Sequence, residues 1–177
     1  MNSIASDKDT SVEQFDRDEI NAFTKSVEFK FARMISSTCF VKDSFFKHRM
    51  DDEISLELSF NSNGFEDLEG GQIAFFVDWS VSVSGANDDK EQLSEEDDED
   101  ESTSLAEFRA DYVLCFEHSL DDGPSQQTLD FFLNRTVRNM SYGSFRQFLH
   151  QASADTEANL PALPLMKSPG LSKSQNK

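Results

Sequence analysis

The sequence predicts an α+β fold, with a four-stranded antiparallel sheet followed by a long C-terminal helix. Three observations carry that prediction. Four stretches alternate apolar and polar residues with a period of two, the signature of strands that bury one face. A later stretch repeats its apolar residues at helical spacing. The segment Leu160-Pro161-Ala162-Leu163-Pro164-Leu165 then closes the ordered pattern as an apolar, extended tail.

Residues 1–24 are polar and acidic and read as a flexible segment ahead of a domain spanning residues 25–166. Within that segment, Ser11 to Phe23 has the makings of a short helix, with Val12, Phe15, Ile20 and Phe23 as its apolar anchors. The first strand is expected from Val27 to Ile35, with Val27, Phe29, Phe31 and Ile35 on one face and Glu28, Lys30 and Ala32 on the other. Phe40 to Arg49 follows as an aromatic but charged connector. The second strand sets Ile54, Leu56, Leu58 and Phe60 against Ser55, Glu57 and Ser59. Asn61-Ser62-Asn63-Gly64 and Gly70-Gly71 are turn-forming.

The third strand has the strongest pattern, with Ile73, Phe75, Val77, Trp79, Val81 and Val83 on one face. The fourth aligns Phe108, Ala110, Tyr112, Leu114 and Phe116. An antiparallel pairing of these two leaves the long acidic stretch between them in water. Leu129, Phe131, Phe132 and Leu133 form a short apolar element of one or two helical turns. The main helix is expected from Ser144 to Asn159. Ser144 and Gln147 have the spacing of a capping box, and Phe145, Phe148, Leu149 and Ala152 share one face. Pro161 bars helix at Leu160. Residues 167–177 read as a flexible tail.

Composition narrows the function. The 177 residues carry 34 acidic and 16 basic side chains, a formal charge of −18. Phosphate backbones would be repelled, so nucleic acid is excluded as a ligand, while basic or unfolded polypeptides suit the field. Ten acids and one lysine lie between Asp88 and Glu101. A run of that kind repels itself, and residues 86–103 are expected to be a disordered loop. Seventeen phenylalanines provide aromatic surface that needs burial or a partner. Cys39 and Cys115 have neither metal-ligand nor redox spacing. No secretory leader is recognisable and no apolar run has the length of a membrane span, so the expected location is the cytoplasm, with reduced thiols.

No catalytic constellation is present. The chain has no Gly-x-Ser-x-Gly, phosphate loop or His-x-x-x-His, and His48, His118 and His150 are far apart in sequence. An enzyme, a cofactor and a metal are therefore not expected. Asp78 falls on the polar face of the third strand, where alternation alone accounts for it. Apolar residues outside the regular pattern are less easily absorbed. Phe40, Phe45 and Phe46 in the connector and the leucines of the tail imply a groove or an oligomer interface.

The order of these elements resembles the SecB family of export chaperones and their SecB-like relatives. Phe40-Val41-Lys42-Asp43 enters the crossover, Phe131-Phe132-Leu133-Asn134 follows the fourth strand, and Phe145-Arg146-Gln147-Phe148-Leu149-His150 lies in the helix. The Leu-Pro segment at residues 160–165 looks like the one after the helix in that family. The resemblance implies tetramers built as pairs of dimers, which hold unfolded precursors in apolar grooves without ATP. It would place Phe40, Phe45, Phe46, Leu160, Leu163 and Leu165 along a client groove, and offers Glu57 and Asp78 as positions on an exposed sheet face where a partner such as the SecA motor docks. Relatives protect a labile antitoxin of a toxin–antitoxin pair instead. Two departures stand out. The acidic insertion is unusual, and the chain lacks the long final helix of the export members.

The expected function is thus an ATP-independent holdase for unfolded or partly folded polypeptides, working as a homodimer or homotetramer. The rival reading is an acidic decoy that mimics DNA. A mimic needs acids spaced along rigid elements, whereas half of the excess charge here lies in one run.

Overall fold

The structure, a computed structural model, describes residues 16–50, 54–85 and 104–165. Residues 1–15, residues 51–53, the whole acidic stretch 86–103 expected as a loop, and the tail beyond Leu165 lie outside the described residues. The order of elements is α1 (Arg17–Ser26), β1 (Val27–Val41), α2 (Asp43–Met50), β2 (Ile54–Leu68), β3 (Gln72–Gly85), β4 (Ala106–His118), α3 (Gln126–Phe132) and α4 (Arg138–Asp155). A π-helical stretch, Leu133–Val137, joins α3 to α4.

The four strands form one antiparallel sheet in the order β1-β4-β3-β2, as the alternation required. The two strands with the cleanest apolar faces take the two central positions. One face, the inner one, is covered by the helices. Trp79 of β3 is fully buried, stacked on Phe145 at 5.9 Å and against Tyr142 at 5.1 Å, both from α4. Its indole N–H donates to Ser141 Oγ at 3.0 Å, which gives the buried ring the partner it needs. Farther along, Phe132 of α3 meets Phe75 of β3 and Phe116 of β4 at 5.7 and 5.1 Å.

The edge strands depart from the simple pattern. β1 runs six residues beyond the expected end at Ile35 and carries two register shifts, at Phe29/Phe31 and at Met34/Ser36. Each adds a residue to one strand and changes which side the following residues face. Phe29 therefore pairs with Phe116 on the inner face, while Phe31 pairs with Cys115 on the outer one. Met34, opposite buried Tyr112, is inward. On β2, Asn61–Gly64 is no turn. The strand continues to Leu68 with a bulge between Ser62 and Gly64, where Gly64 takes φ +98°. The reversal comes at Gly70-Gly71, both at positive φ.

Two helical expectations change. The chain is folded from α1 onward rather than from residue 25, and Phe23 is fully buried against Phe132 and His118. The main helix begins at Arg138, not Ser144. The π-helical stretch feeds it directly, so Ser144 and Gln147 sit mid-helix and cap nothing. It ends at Asp155, ahead of Pro161. Glu157 and Asn159 take positive φ, and Asn159 N–H donates to Ser153 O at 3.0 Å, closing the helix in a left-handed turn.

Candidate functional site

The outer face of the sheet was one candidate for partner docking, through Glu57 and Asp78. Glu57 is exposed on β2, opposite Ser82. Asp78 is not a docking residue. It is 3% exposed and fully engaged, accepting from Asn61 Nδ2 at 3.0 Å and Asn63 Nδ2 at 3.3 Å, with Arg109 Nη2 at 3.4 Å. Arg109 also reaches Asp111 at 3.4 Å, the residue paired directly with Asp78, and Asp111 accepts from Ser36 Oγ of β1. A polar belt thus crosses all four strands. Arg109 neutralises two neighbouring carboxylates, so the belt fixes register and offers a partner little free charge.

The other candidate residues divide. Phe40 lies at the end of β1, not in a connector, and is 54% exposed on the outer face opposite Glu107. The connector itself is the helix α2. It carries the chain from one edge of the sheet to the other, past the end where Lys42 N–H bonds Leu105 O at 2.9 Å. On it Phe45 is fully buried, with Phe46 edge-on at 5.4 Å. Phe45 is a core residue with no surface for a client. Phe46 is 38% exposed and keeps that possibility.

The tail folds back along α4. Leu160 N–H donates to Ser153 Oγ at 2.6 Å, Arg146 Nε donates to Leu163 O at 2.9 Å, and Tyr142 Oη donates to Pro164 O at 2.7 Å. Prolines supply no amide hydrogen, so side chains of α4 hold the segment by its carbonyls. Between helix and tail lies a cavity of about 270 Å³, lined by Gly143, Arg146, His150, Ser153, Leu160 and Leu163 among others. Leu160 and Leu163 are half-buried against the core, whereas Leu165 is 75% exposed. Burial pushes the Tyr142 hydroxyl upward, and Tyr112, buried without a hydrogen-bond partner for its hydroxyl, is pushed up to about 12. Both hydroxyls stay protonated in any ordinary solution.

Sequence alternation missed the apolar surface at the sheet edges. The helix layer is narrower than the sheet, so inner-face residues of both edge strands remain uncovered: Phe29 and Met34 on β1, Leu56 and Leu58 on β2. Met140 of α4 is also exposed, and the guanidinium of Arg138 lies over Phe60 of β2 at 5.0 Å. The only signal in the sequence was the excess of phenylalanine. Leu56 and Leu58 themselves looked like core.

Among the described residues no cluster of three or more His, Cys, Asp or Glu side chains could hold a metal, and no helix is long and apolar enough to cross a membrane.

No protein-family model matches the chain, and no curated protein sequence matches it. The fold is shared with a solved structure, the SecB-like chaperone Rv1957 of Mycobacterium tuberculosis in complex with a ChAD peptide from the antitoxin HigA1 (Rv1956). The superposition has a TM-score of 0.66 and covers 87% of this chain and 100% of that one, at 10% sequence identity.

Proposed function

We propose that this chain is an ATP-independent holdase that binds unfolded or partly folded polypeptides on the apolar surface flanking its helices. The observation that carries the reading is the large apolar side chains left uncovered on both edge strands beside the helix layer, on a fold shared with a chaperone that was solved with a bound peptide. Phe46 and Leu165 supply the contacts from the crossover and the tail, the half-buried Leu160 and Leu163 line the tail beside α4, and Leu56 and Leu58 add surface at the sheet edge. Phe40 contributes from the outer face. Clients that mix apolar and basic residues suit a chain of charge −18. They are unfolded export precursors or one labile protein such as an antitoxin. Handover to a SecA-type motor retains only Glu57 of its two proposed contacts, which favours the specific-client role.

The working form is a dimer or tetramer. β1 is a 15-residue edge strand, half-buried only at its two ends, with Phe31 exposed on its outer face. Such an edge calls for a second copy. A cytoplasmic location follows from the same reading.

Suppression of the aggregation of a chemically unfolded test protein, followed by light scattering, tests the function. Wild type suppresses it at about stoichiometric amounts, and the variant Phe46→Ser/Leu165→Ser does not, because each lost apolar contact with client weakens binding by about 1.5–3 kcal/mol when fully buried. A wild-type oligomer that fails to suppress, and instead captures a DNA-binding protein in a salt-sensitive way, replaces the holdase with the acidic decoy.

A further inference from the structure

Among the described residues, an aromatic and a polar contact hold the N-terminal helix. Asp16 caps it, accepting from Asp18 N and Glu19 N, so the helix is well formed locally. Of its ten residues only Phe23 is buried, and most of the others are exposed. Phe23 enters an aromatic floor, edge-on to Phe132 at 5.1 Å and tilted against His118 at 6.0 Å. Phe132 continues that floor to Phe116 and Phe75, and Phe116 reaches the exposed Phe29 at 5.5 Å. The second contact is polar. Glu19 accepts from Ser125 N at 2.6 Å and from Ser125 Oγ at 3.0 Å, at the start of α3. Those hydrogen bonds hold the Glu19 carboxyl below its ordinary value, so the clamp is ionised at neutral pH.

We infer that α1 is an autoinhibitory latch, a segment of the chain that occupies an aromatic site as a client would and uncovers it by swinging out about the α1–β1 junction at Ser26–Val27. Three features support it. The helix can leave without unpairing a strand, because β1 begins only at Val27. The aromatic plug Phe23 and the carboxylate Glu19 are spaced four residues apart on a single helical face. The surface beneath is aromatic and continuous, through Phe116, with the exposed Phe29, so opening enlarges an apolar patch. The occupant that replaces Phe23 is an aromatic side chain of an unfolded polypeptide. The inference rests on the holdase reading and adds regulation to it. A client must displace α1, so its apparent affinity is lowered by the fraction of molecules in which the latch is open.

The test uses the full chain and two variants, Phe23→Ala, which removes the plug, and Glu19→Gln, which weakens the clamp outside the core. The probe is α-lactalbumin kept unfolded by reduction and alkylation. Amide exchange is measured across residues 17–26, with α4 as the control for the global fold. Both variants should speed exchange in α1 and leave α4 unchanged. Phe23→Ala should bind the probe about tenfold more tightly and Glu19→Gln about two- to threefold. A synthetic peptide of residues 16–27 added in excess should reverse the gain of Phe23→Ala, and the same peptide carrying the Phe23→Ala change should not. Faster exchange in α1 with no gain in probe binding overturns the latch and leaves the holdase standing. Unchanged exchange in both variants overturns it as well. A probe held by neither wild type nor variants overturns the holdase, and the latch with it. If Phe23→Ala unfolds, Glu19→Gln decides between these outcomes with the same readouts.

Discussion

Phe45 and Phe46 are neighbours on α2 and look alike in sequence, yet their substitution should have opposite consequences. Phe45 is fully buried and Phe46 is 38% exposed. Phe45→Ala removes a whole ring from the core at the end of the sheet where α2 crosses, and such truncations cost about 3–5 kcal/mol. For a chain of this size each kcal/mol lowers the melting temperature by about 2–4 °C, so the loss should be about 6–20 °C. Phe46→Ser gives up only the buried part of its ring, a loss of about 1–2 kcal/mol from area alone. Its main effect should fall on client binding. The assay is thermal unfolding by circular dichroism alongside suppression of aggregation at a temperature where both variants are folded. Phe45→Ala should melt early and still hold client in proportion to the folded fraction, while Phe46→Ser should stay folded and lose holding capacity. Equal melting losses for the two variants would refute the assignment of one ring to the core and the other to the surface. So would retention of full holding by Phe46→Ser with loss of holding by folded Phe45→Ala.

Other outcomes follow from the same geometry. Arg109→Met leaves Asp78 buried beside Asp111 without its cation and should destabilise by about 1–3 kcal/mol in urea unfolding, discounted for the half-exposed guanidinium, and adding Asp78→Asn should recover much of the loss. Gly71→Ala places a Cβ 2.8 Å from His118 O at φ +74° and should cost about 1–3 kcal/mol, more than Gly64→Ala, where φ is +98° but the space is open. Glu19 has a lowered folded value, so its contribution to docking α1 is present above the ordinary carboxylate value of 4.5 and is lost as pH falls through the lowered one. Protection of the α1 amides should therefore drop on acidification, and Glu19→Gln should remove that dependence.

The central sheet was legible in the sequence because β3 and β4 obey one physical rule without interruption. Each is flanked by strands on both sides and packed by helices on one face, so every residue of the apolar set from Ile73 to Val83 and from Ala106 to Phe116 is buried, with Ala74, Asp78 and Cys115 of the other face buried as well. β1 broke the rule because a bulge costs one residue and shifts phase, and neither Lys30 nor Ile35 marks such a site in sequence. That is why Phe31, read with Phe29, points the other way. The start of α4 was hidden because a π-helical stretch leaves no cap to recognise. The reading of the candidate site keeps Leu165 and Phe46 as candidates, since these apolar residues outside the regular pattern are exposed. It failed for Phe45, since one turn of helix separates core from surface with no change in residue type, and for Asp78, since polar alternation cannot distinguish an exposed carboxylate from one enclosed by Asn61, Asn63 and Arg109. Leu56, Leu58 and Met140 escaped notice for a related reason. Exposure at a sheet edge depends on how far the helices reach, and alternation carries no information about that.

The most direct test of the holdase is equilibrium binding of permanently unfolded, alkylated α-lactalbumin to the wild-type oligomer, measured by fluorescence anisotropy without nucleotide. Binding with a dissociation constant of about 10 μM or tighter is expected, together with no binding of the native form of the same protein and a loss of about tenfold or more in the Phe46→Ser/Leu165→Ser variant. Failure of the correctly assembled protein to bind the unfolded form, or equal binding of the native and unfolded forms, would contradict it.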